Sequence, residues 1–317
     1  MISNLWIEKY RPRTFQQVKG QEEIVKRVKA FVESKNIPHL MFIGPPGSGK
    51  TTIANIIGHE LFGESKSQNF LELNSSDERG IDVVRMKVKD FARTKAIIEV
   101  PFKIIFLDEA DALTREAQQA LRRTMEAFSA TTRFIISANY GSKIIDPIKS
   151  RCAIFKFKPL NKDNLKELVK EIAINEGLTI SDETSELLIN ESDGDVRQLE
   201  NILQSCAVLS KDVTPNLIKE IVSSAEPKGL KEALEIAMTG DFNTARLKLI
   251  DAMLNNGLSG VDVIKHIQKE VWSLNIKDES KLKLIEKCGE VEFRLVEGAD
   301  EIIQLESLLA SFCLLKQ

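Results

Sequence analysis

Residues 44–51 spell GPPGSGKT, a glycine-rich loop that ends in a lysine and a hydroxyl side chain. The spacing matches the phosphate-binding pattern GxxxxGK[ST], and an apolar run precedes the loop while a helix-like run follows it. Glycines let backbone N–H groups approach phosphate oxygens, and the helix N-terminus adds partial positive charge. A chance glycine-rich turn is the alternative, which the flanking runs disfavour. The residues expected to contact a nucleoside triphosphate are Gly44, Pro45, Pro46, Gly47, Ser48, Gly49, Lys50, Thr51 and Thr52.

Within this loop, two side chains carry the chemistry. Lys50 is expected to reach the β- and γ-phosphates, and the Thr51 hydroxyl is expected to bind Mg²⁺. A second motif follows the apolar run at 103–107, where Asp108 and Glu109 stand next to each other. Such a run predicts a buried parallel strand, which would present both carboxylates at its end.

The carboxylate pair indicates hydrolysis. Asp108 would bind Mg²⁺, directly or through water, beside Thr51, and Glu109 would polarise the attacking water. The alternative is a helix N-terminus that carries acidic residues, which the helix dipole favours in any case. Because a phosphate loop lies upstream, we interpret the pair as part of an ATP-hydrolysing site.

Two more polar residues have positions that suit a nucleotide site. Asn139 follows the predicted strand at 133–138, so its side chain could hold the attacking water or the γ-phosphate, although asparagine is also a common turn residue. Arg197 lies in the first turn of a predicted helix, after the turn at 193–195. Because a helix N-terminus disfavours cations, this arginine suggests an anionic partner such as a nucleotide phosphate. A plain surface arginine is the alternative.

The composition limits the class of protein. The chain has 317 residues, enough for two or three domains, with 43% hydrophobic and 29% charged residues, as in ordinary soluble proteins. Its 44 basic and 47 acidic residues leave a net charge of -3, so contact with nucleic acid would need a local basic stripe. The four cysteines are scattered, which favours reduced thiols over a zinc site or disulfides. We found no signal peptide and no apolar run near the roughly 18 residues that span a bilayer, and expect a cytoplasmic protein.

Periodicity divides the chain into an α/β part and helical parts. Predicted strands lie at 40–43, 70–73, 104–107, 133–138 and 154–157, with helices at about 20–34, 51–62, 82–95 and 114–128. This alternation predicts a parallel sheet with helices on both faces.

The rest of the chain is predicted to be helical. Residues 161–224 show helical patterns only, a linker is predicted at 225–229, and helices resume from 230 to 317. Near the end, apolar residues recur at helical spacing, and we interpret them as a surplus apolar face available to other subunits. They are Ile302, Leu305, Leu308, Leu309 and Phe312.

Several short motifs discriminate further between classes of phosphate-loop ATPase. They are WIEKYRP at 6–12, SDERGI at 76–81, DEAD at 108–111, ALRRTME at 120–126, SRC at 150–152 and EGA at 297–299. With these motifs the whole chain resembles the small subunits of replication factor C, the clamp loader of archaea and eukaryotes, within the AAA+ ATPases. Ser48 and Ser75 depart from the commoner Thr and Ala of that family without removing a needed chemical group.

The resemblance implies roles for five residues. Tyr10, Arg11 and the backbone of Val18 would line the adenine pocket, and Arg197 would couple the helical lid to the nucleotide. Arg151 would be an arginine finger that projects into the ATP site of a neighbouring subunit and stabilises charge on the transferring phosphate. By itself Arg151 also fits a structural ion pair, and the SRC motif favours the finger.

A row of cations on one helix suggests contact with DNA. Arg85, Lys89 and Arg93 recur every four positions, which suits backbone phosphates and does not read bases. A solvated helix face is the alternative. Because the corresponding helix of the family lines a DNA chamber, the resemblance implies contact by Arg85 and Lys89.

Another helix carries Gln118 and Arg122 on one face at i, i+4. The resemblance implies that Gln118 relays DNA binding to the Asp108–Glu109 strand end and that Arg122 contacts a neighbouring subunit.

The resemblance implies an α/β fold, an AAA+ P-loop ATPase with a parallel five-stranded sheet, followed by a small helical lid domain and an all-α collar domain. We assign residues 1–160 to the nucleotide-binding domain, 161–226 to the lid and 227–317 to the collar, which would hold the oligomer together.

The implied function is that of an ATPase subunit of a clamp loader, with ATP and Mg²⁺ as cofactors. Its partners would be a large subunit and further small subunits in a ring-shaped pentamer, the sliding clamp, and primer–template DNA held by its backbone, with no membrane. ATP would order the subunits around an opened clamp, and DNA would trigger hydrolysis. The location would be cytoplasmic and nucleoid-associated, or nuclear in a eukaryote.

Two other classes share part of this pattern. A branch-migration helicase motor has the same loop and acidic pair but is expected to end in a winged DNA-binding domain, where this chain has amphipathic helices. A scaffold subunit without hydrolysis is expected to have lost site motifs, whereas Lys50, Asp108 and Glu109 all remain.

Overall fold

A computed structural model describes residues 5–75, 81–94, 102–192, 194–225, 229–274 and 276–314, with the backbone alone at 81–85 and 223–225. The chain forms two compact units, Met1–Ile218 and Lys219–Gln317. The finer domain boundaries at 160 and 226 stay predictions.

A parallel sheet forms the centre of the first unit. Its strands are β1 His39–Ile43, β2 Phe70–Asn74, β3 Lys103–Asp108, β4 Thr132–Ala138 and β5 Cys152–Lys156. Their spatial order is β2-β3-β4-β1-β5, and every neighbouring pair is parallel. The first five residues of β3 are buried, as a central parallel strand with helices on both faces requires. The predicted five-stranded parallel sheet is confirmed.

Helices cover both faces of this sheet. The helices of this unit are α1 Trp6–Lys9, α2 Glu22–Glu33, α3 Lys50–Phe62, α4 Lys66–Asn69, α5 Ile81–Arg93, α6 Arg115–Ala127, α7 Asp146–Lys149, α8 Lys162–Glu176, α9 Asp182–Glu191, α10 Val196–Leu209 and α11 Pro215–Ala225, the last of which contains the unit boundary. Short 3₁₀ turns lie at Phe15–Gln17, Gly63–Ser65, Ala110–Ala112 and Gly141–Lys143.

Alternation along β3 builds the two apolar layers. Ile104 and Phe106 pack on one face together with residues of α2 and α3, whereas Ile105 and Leu107 pack on the other face with residues of α5 and α6. Side chains alternate across a strand, so one apolar run supplies both layers.

One prediction for the region after the sheet is wrong. Residues 161–224 are not helical only, because β6 Thr179–Ile180 pairs in parallel with β7 Asp212–Val213. Two-residue strands are too short to show a period-two pattern, and only the pairing of distant segments defines them.

The second unit is helical, as predicted. Its helices are α12 Leu230–Met238, α13 Phe242–Asn256, α14 Gly260–Ser273, α15 Asp278–Val296 and α16 Glu301–Cys313.

The interpretation of the last helix as a surplus apolar face is wrong. Leu305, Leu308, Leu309 and Phe312 are at most 1% exposed and belong to the core of their own unit, and Ile302 packs against it. The stripe therefore fills this unit and is not available to other subunits.

None of the helices in the described ranges combines the length and apolar character needed to cross a membrane.

Candidate functional site

The phosphate-binding sequence forms a loop between β1 and α3. Gly47 has φ +68° and Gly49 has φ +94°, left-handed values that glycine adopts without a steric penalty. α3 begins at Lys50, directly after Gly49, which has no side chain to cap the first N–H groups. These donors are therefore directed towards whatever anion occupies the loop.

Lys50 connects this loop to the end of β4. Its Nζ donates to the carbonyl oxygens of Gly44 at 2.7 Å and Pro45 at 2.8 Å, and to Asn139 Oδ1 at 2.8 Å. Burial lowers the pKa of Lys50 to about 8, and the nearby Asp108 carboxylate offsets part of this effect. The ammonium group is held by acceptors that a phosphate could replace.

Thr51 meets the end of β3. Its hydroxyl donates to Asp108 Oδ2 at 2.6 Å, and Asp108 Oδ1 accepts from the backbone N–H of Glu109 at 3.1 Å. A hydroxyl and a carboxylate are oxygen ligands of the kind that Mg²⁺ prefers. The donor set at this point therefore fits a hard divalent cation.

Glu109 has an unusual backbone. Its φ of 53° and ψ of 40° place it in the left-handed region, which costs a residue other than glycine about 1–2 kcal/mol. Strain of this kind persists where the surrounding structure imposes it, often at functional sites. Just beyond it, Asp111 accepts hydrogen bonds from the backbone N–H groups of Asn139 and Tyr140. The ends of β3 and β4 are thus tied together.

These groups line one cavity of about 330 Å³. The predicted residues that line it are Tyr10, Arg11, Val18, residues 46–52, Asp108, Glu109, Asn139 and Arg197. The carbonyl oxygens of Gly44 and Pro45 accept hydrogen bonds from Lys50, which lines the cavity.

The N-terminal segment also lines the cavity. Tyr10 donates its hydroxyl to Glu176 Oε1 of α8 at 2.6 Å, and burial, together with this carboxylate, raises the pKa of Tyr10. Lys19 pairs with Glu171 of α8 at 2.9 Å. The segment before α2 is thereby attached to the helices that follow the sheet.

Arg197 reaches the cavity from the start of α10. Asp195 caps this helix by accepting from the backbone N–H of Arg197 at 2.8 Å. A Cβ on Gly47 would lie only 2.1 Å from Asp195 Oδ1, so the phosphate loop and the start of α10 are in close contact.

Sequence reasoning missed two buried residues of this site. Gln21 is 5% exposed, and its Nε2 donates to the carbonyl oxygens of Ser48 at 3.3 Å and Lys158 at 2.7 Å. Glu200 of α10 is 4% exposed and lines the cavity. Neither residue belongs to a local sequence motif. For Glu200 the available signal was its position one helical turn after Arg197, and Gln21 had no such signal.

Arg151 does not line this cavity. It precedes β5, and Cys152 is paired with His39 at the start of β1, whereas the phosphate loop follows the end of β1. Roughly 16 Å of strand separates the two edges.

The Arg151 guanidinium is paired within its own chain. It donates to the Pro147 carbonyl oxygen at 2.6 Å and to Glu126 Oε1 of α6, and Arg122 lies 3.6 Å from the same carboxylate oxygen.

Gln118 is buried at the base of α6. It donates to the carbonyl oxygens of Leu113 and Lys143 and accepts from the Ile145 backbone N–H. It therefore connects α6 to the chain that follows Asn139.

Of the two residues predicted to contact DNA, Lys89 has a described side chain, and it does not line the cavity. Lys89 is exposed on α5. The Arg85 side chain and the motif residues at 76–80 lie outside the described residues, as do Asp193 of the predicted turn and residues 226–228 of the predicted linker.

Known proteins resemble this chain over nearly all of its length. A profile of the ATPase family associated with various cellular activities (AAA) matches residues 40–160, and a profile of the replication factor C C-terminal domain matches residues 213–311. A replication factor C small subunit of Staphylothermus marinus is 53% identical over 98% of this chain and 95% of its own. One of Archaeoglobus fulgidus is 52% identical over 96% of each.

Solved structures add a likeness in fold. The RuvB Holliday junction branch migration motor of Thermotoga maritima superposes with a TM-score of 0.57 at 18% identity, over 72% of this chain and 79% of that one. At this identity the likeness shows the fold alone.

Proposed function

This chain belongs to the family of replication factor C small subunits, and from that membership we propose how its residues serve a clamp loader. It is an AAA ATPase with a clamp-loader role in DNA replication. The branch-migration alternative has support from fold likeness only, at 18% identity.

We propose that ATP occupies the cavity with its phosphates on the loop before α3. Lys50 would exchange its carbonyl and amide acceptors for the β- and γ-phosphate oxygens. Residues 44–52 would supply backbone N–H groups, and Thr51 and Asp108 would hold Mg²⁺. The cation would offset negative charge on the phosphate oxygens.

Glu109 and Asn139 would act on the attacking water. Glu109 would accept its proton, and the Asn139 amide would orient the water or the γ-phosphate once Lys50 turns towards the nucleotide. The strained backbone of Glu109 supports this role. Such strain persists where the surrounding structure imposes it, which is common at functional sites.

Tyr10, Arg11 and Val18 would surround the nucleoside, and Arg197 would link the nucleotide to the helices after residue 160. Their shared place along one cavity supports this arrangement. The proposed domains are the nucleotide-binding domain to residue 160, a lid to 226 and a collar beyond.

Arg151 would complete the ATP site of a neighbouring subunit. Its distance from the cavity of its own chain is the observation that carries this proposal. A guanidinium supplied from another subunit makes hydrolysis depend on assembly.

Membership in the family implies a complex with other clamp-loader subunits. We further propose a ring-shaped pentamer with one large subunit, the sliding clamp as cargo, and primer–template DNA contacted through its backbone by Arg85 and Lys89. Gln118 would relay DNA contact towards the strand ends, and Arg122 would face a neighbour. The protein would act in the cytoplasm, at the nucleoid.

A complementation experiment tests the shared site. Complexes made from a mixture of Lys50→Ala and Arg151→Ala chains contain some interfaces with an intact loop and an intact arginine. ATPase activity should therefore recover above that of either variant alone. If Arg151 acted only within its own chain, mixing would restore nothing.

A further inference from the structure

The carboxylate of Glu200 has no role in the mechanism derived above. It lies on α10, one turn after Arg197, and is 4% exposed. Among the described residues, no hydrogen bond or ion pair involves this carboxylate. The residue is largely desolvated, and its carboxylate oxygens are not among the fully enclosed atoms that lack a partner, so they open onto the cavity, where a donor would offset the cost of desolvation.

The surroundings of Glu200 indicate where such a partner would come from. Val196, Arg197 and Glu200 all line the cavity, at the i, i+1 and i+4 positions of one helix. Arg11 lies near Glu200 but pairs with Glu8 at 2.9 Å, and Arg197 is exposed. The carboxylate therefore faces a space that a ligand can fill.

The charge state of Glu200 agrees with this geometry. Burial is the main cause that raises the pKa of Glu200 to about 7. The charges of Asp195 and Glu8 also raise this pKa, whereas those of Arg11 and Arg197 lower it. The nearby cations are therefore too weakly engaged to compensate the desolvation of the carboxylate.

The chemistry of the group selects its ligand. An ionised carboxylate only accepts hydrogen bonds and repels phosphate, so it suits neutral N–H or O–H donors. Its electrostatic influence reaches Tyr10, and Arg11 acts on it in turn; both residues line the same cavity and are proposed to surround the nucleoside.

We propose that Glu200 is a specificity-determining residue that accepts a hydrogen bond from the nucleoside part of the bound nucleotide. The donor is the exocyclic amine of adenine or a ribose hydroxyl. This inference rests on the proposed role of the cavity as the ATP site.

The test measures binding of four nucleotides to the full chain by titration calorimetry: ATP, 2′-deoxy-ATP, 3′-deoxy-ATP and purine riboside triphosphate, which lacks the amine. We expect the analogue without the recognised donor to bind about ten- to hundredfold more weakly than ATP. Whichever analogue loses affinity identifies the donor.

Two variants isolate the carboxylate. In Glu200→Leu the advantage of ATP over that analogue should fall to within about twofold, and an apolar side chain of this size is tolerated at a buried site. Glu171→Gln is the matched control, because Glu171 also lines the cavity but pairs with Lys19 and should keep the preference.

The outcomes separate this inference from the proposed function. Equal binding of all four nucleotides by the unmodified chain, or a preference unchanged in Glu200→Leu, would overturn the role of Glu200 and leave the ATP site standing. Failure of the unmodified chain to bind ATP would overturn both.

Discussion

The two edges of the central sheet are built in different ways. At the carboxyl edge, Lys50 and Thr51 at the start of α3 hydrogen-bond to Asn139 after β4 and to Asp108 at the end of β3. At the amino edge, Arg151 stands before β5 and pairs with Glu126 on the protein surface. One edge is a connected, partly buried network, whereas at the other edge Arg151 shares an exposed carboxylate with Arg122.

This difference suggests that the two edges serve different steps, nucleotide binding and nucleotide hydrolysis. If ATP binds this network as proposed, binding would need no second chain, because all of its groups belong to one chain. An exposed ion pair contributes little stability, typically about 0–1 kcal/mol, so its arginine can be redirected at low cost. Binding should therefore belong to the single chain, and hydrolysis to the assembly.

The largest expected effect comes from Arg151→Ala in the assembled complex. If the guanidinium stabilises transition-state charge across the interface, ATP turnover should fall by about 10³-fold or more. ATP affinity of the isolated chain should stay unchanged, as measured by calorimetry. Arg123→Ala, an exposed arginine of α6, is the control; an equal loss with that variant would argue for general damage to the surface.

Lys50→Ala tests the other edge. Loss of the charged donor should lower turnover by about 10²–10³-fold and weaken ATP binding in the isolated chain as well. Lys26→Ala, an exposed lysine of α2, should leave both unchanged. If Lys50→Ala kept full affinity in the isolated chain, binding would not depend on the carboxyl edge as described.

The effect of pH on ATP affinity should be smaller than the effects of these two substitutions. The pKa of Lys50 is lowered to about 8 in the free site, and only the protonated form attracts phosphate, so affinity is full below pH 8 and falls as pH rises above it. Between pH 7 and 9 the decrease should be about tenfold.

Lys50→Arg distinguishes this titration from other effects of pH. Its guanidinium stays protonated throughout the range, so any remaining affinity should no longer fall above pH 8. The same slope in both proteins would mean that another group titrates.

The smallest expected effect is that of Glu126→Ala. Removing the carboxylate breaks the ion pair of Arg151 and leaves its hydrogen bond to the Pro147 carbonyl, so turnover of the complex should rise by up to about fivefold, the range of one exposed ion pair. Glu116→Ala on the same helix serves as the control. A large loss of turnover would instead mean that Glu126 holds Arg151 in its working position.

Local patterns were sufficient for the sheet and the phosphate end of the site. β1, β3 and β4 are rich in apolar residues because both faces of a central parallel strand are buried, and they lead to the phosphate loop, to the Asp108–Glu109 pair and to Asn139. The carboxyl ends of parallel strands lie along one edge of a sheet. The sequence therefore already predicted that the residues after these strands would lie close together.

Sequence patterns did not predict features that depend on which other segments pack against a helix or strand. The apolar stripe of α16 was correctly assigned to a helix, but its spacing does not say whether α12 to α15 cover it. Likewise, the two short strands β6 and β7 exist only as a pair, and neither segment carries a signal of its own.

The amino-acid sequence by itself determined the phosphate loop, the carboxylate pair, the strand ends and the family, because each depends on neighbours within a few residues. Tertiary structure alone decided that Gln21 joins two distant carbonyls, that Glu200 faces the cavity, and that Arg151 lies away from it. Those facts depend on distances between segments far apart in the chain, which only the packing of the whole unit sets.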